Sequence, residues 1–526
     1  MRASFSRSLA WVGVVVAATA MTVSGTGRPP ALDRDAAIHT ANRLTFGATP
    51  ATVERLQSEG LDAWLEAQLH PQRVPDPRLE ARLAALTTLT LTPRALAEMN
   101  LKAQQRRRAA QASMQTAGAG DGGLERAAGG IEPGMERFPR AEDRGPQRQV
   151  LIELITQKLV RATAAERQLE EVLVDFWFNH FNVFAGKGPV RQYVYDFERT
   201  AIRPHVFGSF RTMLGAVAGS PAMLFYLDNW QSSAPGTQTL RGPGGLNENY
   251  ARELLELHTL GVDGGYSQAD IVDVARAFTG WTIRAPRQGG DAIFDGRRHD
   301  RGAKTILGHV LPAGGGRGDG ERVMDILARH PSTARFIARK LAIRFVSDTP
   351  QEALVARVAS RFLQTGGDLR ATVDALVRSP EFIDRSARLA KVKTPLEFVA
   401  SAVRVTGAEV RMAGALGQQL RTLGMPPYFA QPPTGYSDRA DAWTNAGALV
   451  QRMNIALALT QGRLHGVAPA GLPEADGDDA ETRARSMARA LLLRDPSPAT
   501  LKTVAMASIP AEMAALVLGS PEFQRK

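Results

Sequence analysis

Asn247-Glu248-Asn249-Tyr250-Ala251-Arg252-Glu253-Leu254-Leu255-Glu256-Leu257-His258-Thr259-Leu260-Gly261 is the stretch on which the reading of this chain turns. Its apolar residues recur at three- and four-residue steps, which predicts a helix over 248–260. At about 100° per residue, Asn249, Glu253 and Glu256 share one face, with Arg252 at its edge. Tyr250, Leu254 and Leu257 form an apolar side. His258 lies roughly 140–160° around from the two glutamates, so one metal held by Glu253, Glu256 and His258 is excluded unless the helix breaks first. His258 therefore reads as a hydrogen-bonded core histidine. Gly261 is placed to terminate the helix, Asp263-Gly264-Gly265 turns the chain, and Ser267 with Asp270 spells a capping box for the next helix.

Two adjacent carboxylates on one face suit general acid–base chemistry or ligation of a hard divalent cation. The simpler alternative is an i,i+4 ion pair between Arg252 and Glu256, and spacing alone favours it. The loop after Gly261 lacks the alternating ligands and closing glutamate of a calcium-binding hand.

Helical periodicity extends outward from this segment. Helices are expected over 36–42, 52–69, 93–112, 150–162, 165–184, 192–210 and 267–278, and again through 321–526. The segment 111–147 is rich in Gly, Ala, Arg and Glu without apolar periodicity and reads as a disordered insertion. Short apolar runs within 284–310 suggest a small β-hairpin set into the helical body. Residues 314–320 read as a flexible tip whose Arg-Gly-Asp is coincidental. Ser379-Pro380-Glu381-Phe382 recurs as Ser520-Pro521-Glu522-Phe523, with an echo at Ser220-Pro221, each a step at which a helix stops. The fold class that follows is mainly α, a multi-helical single body with two lobes and a hairpin insertion near 284–310. His180 falls on the core stripe of its helix, while Asp228-Asn229 and His299-Asp300, with Lys304 nearby, are further polar candidates.

Composition narrows the chemistry. The chain has 526 residues, 44% of them hydrophobic, which is ample for a large core, and it has no cysteine. Disulfides, thiolate metal sites, c-type haem attachment and cysteine nucleophiles are thereby excluded. The net charge of +11 comes mostly from arginine, and the one basic run is Arg106-Arg107-Arg108. Such charge reads as solvated helix faces, compatible with peripheral association with an anionic envelope, and no nucleic-acid partner is expected. His-Glu-x-x-His, Gly-x-Ser-x-Gly and Rossmann fingerprints are missing. At the N-terminus, Arg2 and Arg7 precede an apolar run from Leu9 to Val23 and then Ser24-Gly25-Thr26-Gly27. That is the pattern of a signal peptide over 1–26, with Ala18-Thr19-Ala20 as one cleavage site, and an uncleaved anchor is the alternative.

Asn247 to Gly261, continuing through Tyr266 and Asp270 to Ala277-Phe278-Thr279-Gly280-Trp281, resembles the signature of the domain-of-unknown-function 1800 family. Asn42-Arg43-Leu44-Thr45-Phe46-Gly47 and Phe176-Trp177-Phe178-Asn179-His180-Phe181 are similar to further motifs of that family. So are His299-Asp300 with Lys304, Lys391-Val392-Lys393-Thr394-Pro395, and Trp443 through Arg452 and Asn454. The likeness covers residues 36–526 with its motifs in order. It implies an exported bacterial protein, mostly helical, of unestablished activity. It also implies a functional partner, since such proteins are often encoded beside a second exported family, domain-of-unknown-function 1501, which looks like a sulfatase or alkaline-phosphatase relative.

Two functions from different classes follow. In the first, the protein is a periplasmic or extracellular envelope hydrolase. Glu253, Glu256, Asp228, His299 and Asp300 carry its chemistry, and Asn229, Asn247, Asn249, Arg252 and Lys304 hold its substrate. Water is activated directly or through a hard divalent cation. In the second, the same cluster is a structural polar network in a non-catalytic envelope binding or assembly protein.

Overall fold

The computed structural model describes residues 32–117, 146–239 and 242–526. The signal-peptide reading of 1–26 lies outside them. The chain runs through α1 (Arg34–Leu44), α2 (Pro50–Leu69), α3 (Pro77–Ala84), α4 (Pro93–Ala117), α5 (Pro146–Ala164), α6 (Gln168–His180), α7 (Val190–Phe197), α8 (Phe210–Ala218) and α9 (Pro221–Tyr226). A two-stranded pair, β1 (Gln238–Thr239) and β2 (Gly242–Pro243), leads to α10 (Asn249–Glu253) and α11 (Gln268–Ala277). Two antiparallel hairpins follow: β3 (Trp281–Ile283) with β4 (Ala292–Phe294), and β5 (Lys304–Ile306) with β6 (His309–Leu311). The expected insertion near 284–310 is therefore two hairpins, opening three residues earlier.

The C-terminal part is helical as expected. It comprises α12 (Arg317–Ala328), α13 (Pro331–Phe345), α14 (Glu352–Gln364), α15 (Leu369–Val377), α16 (Pro380–Ile383), α17 (Pro395–Val405), α18 (Gly414–Thr422), α19 (Ala446–Thr460), α20 (Ala480–Leu492), α21 (Pro498–Val504), α22 (Pro510–Gly519) and α23 (Pro521–Gln524). A last small pair, β7 (Glu409–Val410) and β8 (Val467–Ala468), closes the loops around α18 and α19. One contiguous cluster of buried apolar residues runs from Ala37 to Phe523. Among the described residues, no helix is long and apolar enough to cross a membrane.

Several sequence expectations are corrected. Residues 111–117 complete α4 and 146–147 open α5, because Arg106 to Gln115 is built of good helix formers despite its bias. The rest of the 111–147 segment lies outside the described residues. The helix expected over 192–210 breaks into α7, a wide π-turn at Glu198–Ile202 and a 3-10 turn at Arg203–His205. Pro204, which has no N–H to donate, sits at that second break. The glycine-rich tip at 314–320 is instead the entry to α12, with Asp319 buried. Each Ser-Pro step does more than stop a helix. Ser220, Ser379 and Ser520 are N-caps and the following proline is the first residue of the next helix.

The first helix and the last residues of the chain both pack onto the segment around residues 382–392. His39 of α1 donates through Nε2 to the Phe382 carbonyl at 2.8 Å. Val392 bridges antiparallel to Arg525. Gly47, with φ +127°, lets the α1–α2 loop lie against α17: a Cβ built on it would stand 2.4 Å from the Ser401 Cβ. Gly47→Ala is expected to lower stability by about 2–4 kcal/mol, combining overpacking with a conformation that L side chains rarely adopt. Chemical denaturation checks this. A midpoint equal to that of Gly318→Ala, where nothing lies within 4 Å, would show the approach to be slack.

Candidate functional site

The signature segment is helical but not uniformly so. α10 passes directly into a π-turn at Leu254–Thr259. The Thr259 hydroxyl donates to the Leu254 carbonyl at 2.6 Å, and the Leu260 N–H donates to the Leu255 carbonyl at 2.8 Å; both skip five residues and hold the turn wide. Gly261 then ends the segment with φ +85°. The widened turn changes which side chains face inward. Leu255, His258 and Thr259 are buried with Tyr250 and Leu254, whereas Leu257, expected on the apolar side, is only half-buried. The Ser267–Asp270 capping box forms as spelled.

Glu253 and Glu256 sit on the open side of this segment, both half-buried. The anticipated Arg252–Glu256 pair does not form. Arg252 turns back to Glu248 at 3.4 Å and towards Gln268 at 3.4 Å. Among the described residues Glu253 has no ion pair and no side-chain hydrogen bond, and Glu256 has one long contact, from the Tyr266 hydroxyl at 3.5 Å. Burial raises the Glu253 carboxyl, and the neighbouring Glu256 charge raises it further against the pull of Arg252. Tyr226, buried and facing Glu253, is pushed up to about 12, first by desolvation and then by that carboxylate.

The wall opposite is the turn after α9. Asp228 adopts a left-handed conformation, φ +61°, and pairs with Lys187 at 2.7 Å, while Lys187 also donates to the Tyr226 carbonyl at 2.7 Å. The Asn249 amide donates to the Leu227 carbonyl at 3.3 Å, and the Asn247 amide reaches the Asp228 carbonyl at 3.5 Å. Asn247 Oδ1 accepts the Asn249 N–H at 2.9 Å. Asn247, Asn249 and Asp228 are thus brought together with the start of α10, and Tyr226 links them to Glu253.

The remaining candidates go elsewhere. Asn229 is buried and donates to the Phe278 and Trp281 carbonyls at 3.1 and 3.0 Å, tying the turn to β3. Asp300 receives Arg276 through two guanidinium nitrogens at 3.0 and 3.1 Å. His299 lies within 3.2 Å of Asp319, and Lys304, with no side-chain exposure, reaches the same carboxylate at 2.7 Å. His299, Asp300 and Lys304 therefore fasten the hairpins to α11 and α12 rather than joining the glutamates. His258 is fully buried and, among the described residues, neither ring nitrogen has a hydrogen-bond partner, unlike the hydrogen-bonded histidine expected; its carbonyl accepts from His180 Nε2 at 3.0 Å. Among the described residues, no group of three or more His, Asp or Glu side chains is arranged to hold a metal ion.

Sequence reading missed Tyr226 and Lys187, the contact of Tyr266 with Glu256, and Asp319, the shared partner of His299 and Lys304. Tyr266 alone carried a signal, since it stands just before the capping box. A second concentration of charge is Lys158 with Asp175 at 3.2 Å and Glu198 at 3.7 Å, and Lys158 and Asp175 line a shallow recess together with Tyr428 and Tyr436. Its charges are mutually paired, as a structural network requires.

Fold and site together define a mainly α-helical protein that presents, at the start of and within a widened helical turn, two carboxylates without an ion pair among the described residues. Residues 39–525 match the model of the family described as "Protein of unknown function (DUF1800)", and the chain belongs to that family. No curated protein and no solved structure matches it.

Proposed function

We propose that this chain is an exported envelope hydrolase whose acid–base pair is Glu253 and Glu256. The observation that carries the reading is that neither carboxylate has an ion pair among the described residues, in a chain of net charge +11 where arginine is abundant and Arg252 is adjacent but turned away. Uncompensated, half-buried carboxylates are unfavourable for folding and are characteristic of sites built for proton transfer. Glu253, with its raised carboxyl, is the proton donor to the leaving group. Glu256 takes the proton from the attacking water. Asp228, Asn247 and Asn249 form the facing wall against which a polar substrate is oriented, and a hard divalent cation bridged by water to the two glutamates is compatible with this arrangement. The N-terminal pattern supports a periplasmic or extracellular location, and the family likeness supports an exported DUF1501-like partner.

The test is a panel of glycosides, esters, amides and phosphoesters typical of envelope polymers, incubated with the purified protein. Glu253→Gln is expected to reduce turnover by about 100-fold or more while leaving the melting temperature unchanged or raised. Turnover that survives both Glu253→Gln and Glu256→Gln would place the chemistry elsewhere, and a panel left wholly intact would remove the reading.

A further inference from the structure

A second recess, open to solvent, lies between α1, α17 and the last helices, and neither Glu253 nor Glu256 is among its lining residues. Asn42, Lys393, Ser401, Arg494, Glu522 and Arg525 give it a polar lining, with Phe523 on its wall. Its position follows from two tertiary features already described, the approach of Gly47 to Ser401 and the bridge of Val392 to Arg525. The backbone of Lys393 is fixed by its N–H donating to the Gln524 carbonyl at 2.9 Å, and the next residue, Thr394, opens α17 with a capping box.

Lys393 is 4% exposed, yet its ammonium has neither an ion pair nor a hydrogen bond among the described residues. It stands over the face of Phe523, 3.8 Å from the ring centroid. Its neighbour Lys391 is paired with Asp348, and Lys526 with Glu397. Lys393 shares the recess with Arg494 and Arg525, against the single carboxylate of Glu522, which is already occupied by the Ser497 N–H at 3.0 Å and the Thr500 hydroxyl at 2.6 Å. Asn42 uses Oδ1 to accept the Ala48 N–H at 3.0 Å, leaving its amide protons for another acceptor. The Glu397 carboxylate bears on the Lys393 charge without touching it and is already paired with Lys526 and Arg344, so an anion in the recess would relieve the desolvation of the ammonium.

We propose that this recess binds a phosphate group, with Lys393, Arg494 and Arg525 as counter-charges and the Asn42 amide as a neutral donor. A surplus of two positive charges matches a phosphate dianion, and charge-assisted contacts of this kind are the strong ones. Desolvation brings the Lys393 ammonium down to about 7; Glu397 opposes this, while Lys526, Arg494 and Arg452 add to it. A bound phosphate therefore completes its protonation, and binding at pH 8 takes up a proton.

The probe is inorganic phosphate, followed by calorimetry at pH 8 in two buffers of different ionisation enthalpy and by thermal unfolding, with chloride at equal ionic strength as the reference. Saturable binding with proton uptake and a raised melting temperature is expected. Lys393→Met replaces the unpaired ammonium with an apolar side chain of similar reach. It is expected to abolish the proton uptake and weaken binding at least about tenfold. Arg494→Gln, on a different element, is expected to weaken binding likewise and keeps the test decisive if the first variant does not fold. Phosphatidylglycerol vesicles separate the sources: sedimentation with them, competed by phosphate, assigns the site to a lipid headgroup, and phosphate binding without sedimentation assigns it to a soluble phosphate. Responses to phosphate no larger than those to chloride, or binding retained in both variants, overturn the proposal.

Discussion

Arg344→Met is expected to lower stability by about 3–5 kcal/mol, the largest effect of any single replacement proposed for this protein. Arg344, 2% exposed, projects from α13 into the centre of the molecule. There its guanidinium faces Asp438 at 2.7 Å, Glu397 at 3.3 Å and Asp175 at 3.5 Å. Glu397 keeps Lys526 and Asp175 keeps Lys158 when the arginine is removed, but Asp438 has no other ion pair among the described residues. The loss is thus dominated by carboxylates left charged in a poorly solvated place, not by the attraction itself. The same surroundings hold Glu397 well below the usual carboxylate range: burial opposes ionisation and the Lys526 and Arg344 charges overcome it. Chemical denaturation of Arg344→Met beside Arg55→Met measures the effect. Arg55 pairs with Glu59 on an exposed helix face and its replacement should cost less than about 1 kcal/mol. Equal midpoints for the two variants would mean that the buried network carries no more weight than a surface pair.

The second large effect is a loss of stability on mild acidification. His39, His180 and His258 are buried. Burial holds His39 down to about 4 and His258 to about 3, aided by the Arg43 and Lys340 charges respectively. His180 is also held well below its ordinary value, chiefly by burial. In the unfolded chain each titrates near 6.5, so between that value and the folded one the unfolded state binds more protons. The stability these histidines provide is complete above about pH 6.5 and is lost as pH falls towards 4. His39 and His258 each contribute about 1.4 kcal/mol per pH unit, so at pH 5 the two together remove roughly 4 kcal/mol, and His180 acts in the same direction. Glu171 and Glu397, held low by their cations, begin to add to this loss only below about pH 4.5. Denaturation midpoints from pH 8 to pH 5 read the slope directly. His258→Phe, which removes two ring nitrogens without a partner among the described residues from a site already walled by Phe181, should flatten it by about 1.4 kcal/mol per pH unit. Midpoints that stay level across this range would contradict the assignment.

How much of the protein was legible in the sequence depends on the range of the interactions concerned. The order of the helices, the Ser267–Asp270 capping box and the hairpin region follow from local periodicity, capping and turn chemistry. The in-order motifs likewise gave the family. Failures began where two local solutions compete. Arg252 could pair with Glu248 or with Glu256, both four residues away, and the contact with Gln268 of α11 accompanies the choice of Glu248. Ideal helix geometry put Leu257 on the apolar face because nothing local announces the π-turn, which Thr259 holds by reaching back five residues.

The sequence by itself determined a mainly α-helical, cysteine-free chain with a polar face on the signature segment, because helix propensity, caps and hydrophobic period act over a few residues. The tertiary structure alone decided which polar residues meet. Asp319 claims His299 and Lys304 from across a hairpin, Arg344 gathers carboxylates from three distant segments, and Tyr226 comes within reach of the Glu253 charge. The physical reason is that a buried charge must find its counter-charge wherever packing places one, whereas a half-exposed carboxylate can remain without one because water still reaches it. That difference leaves Glu253 and Glu256 open and binds the other candidates into the scaffold.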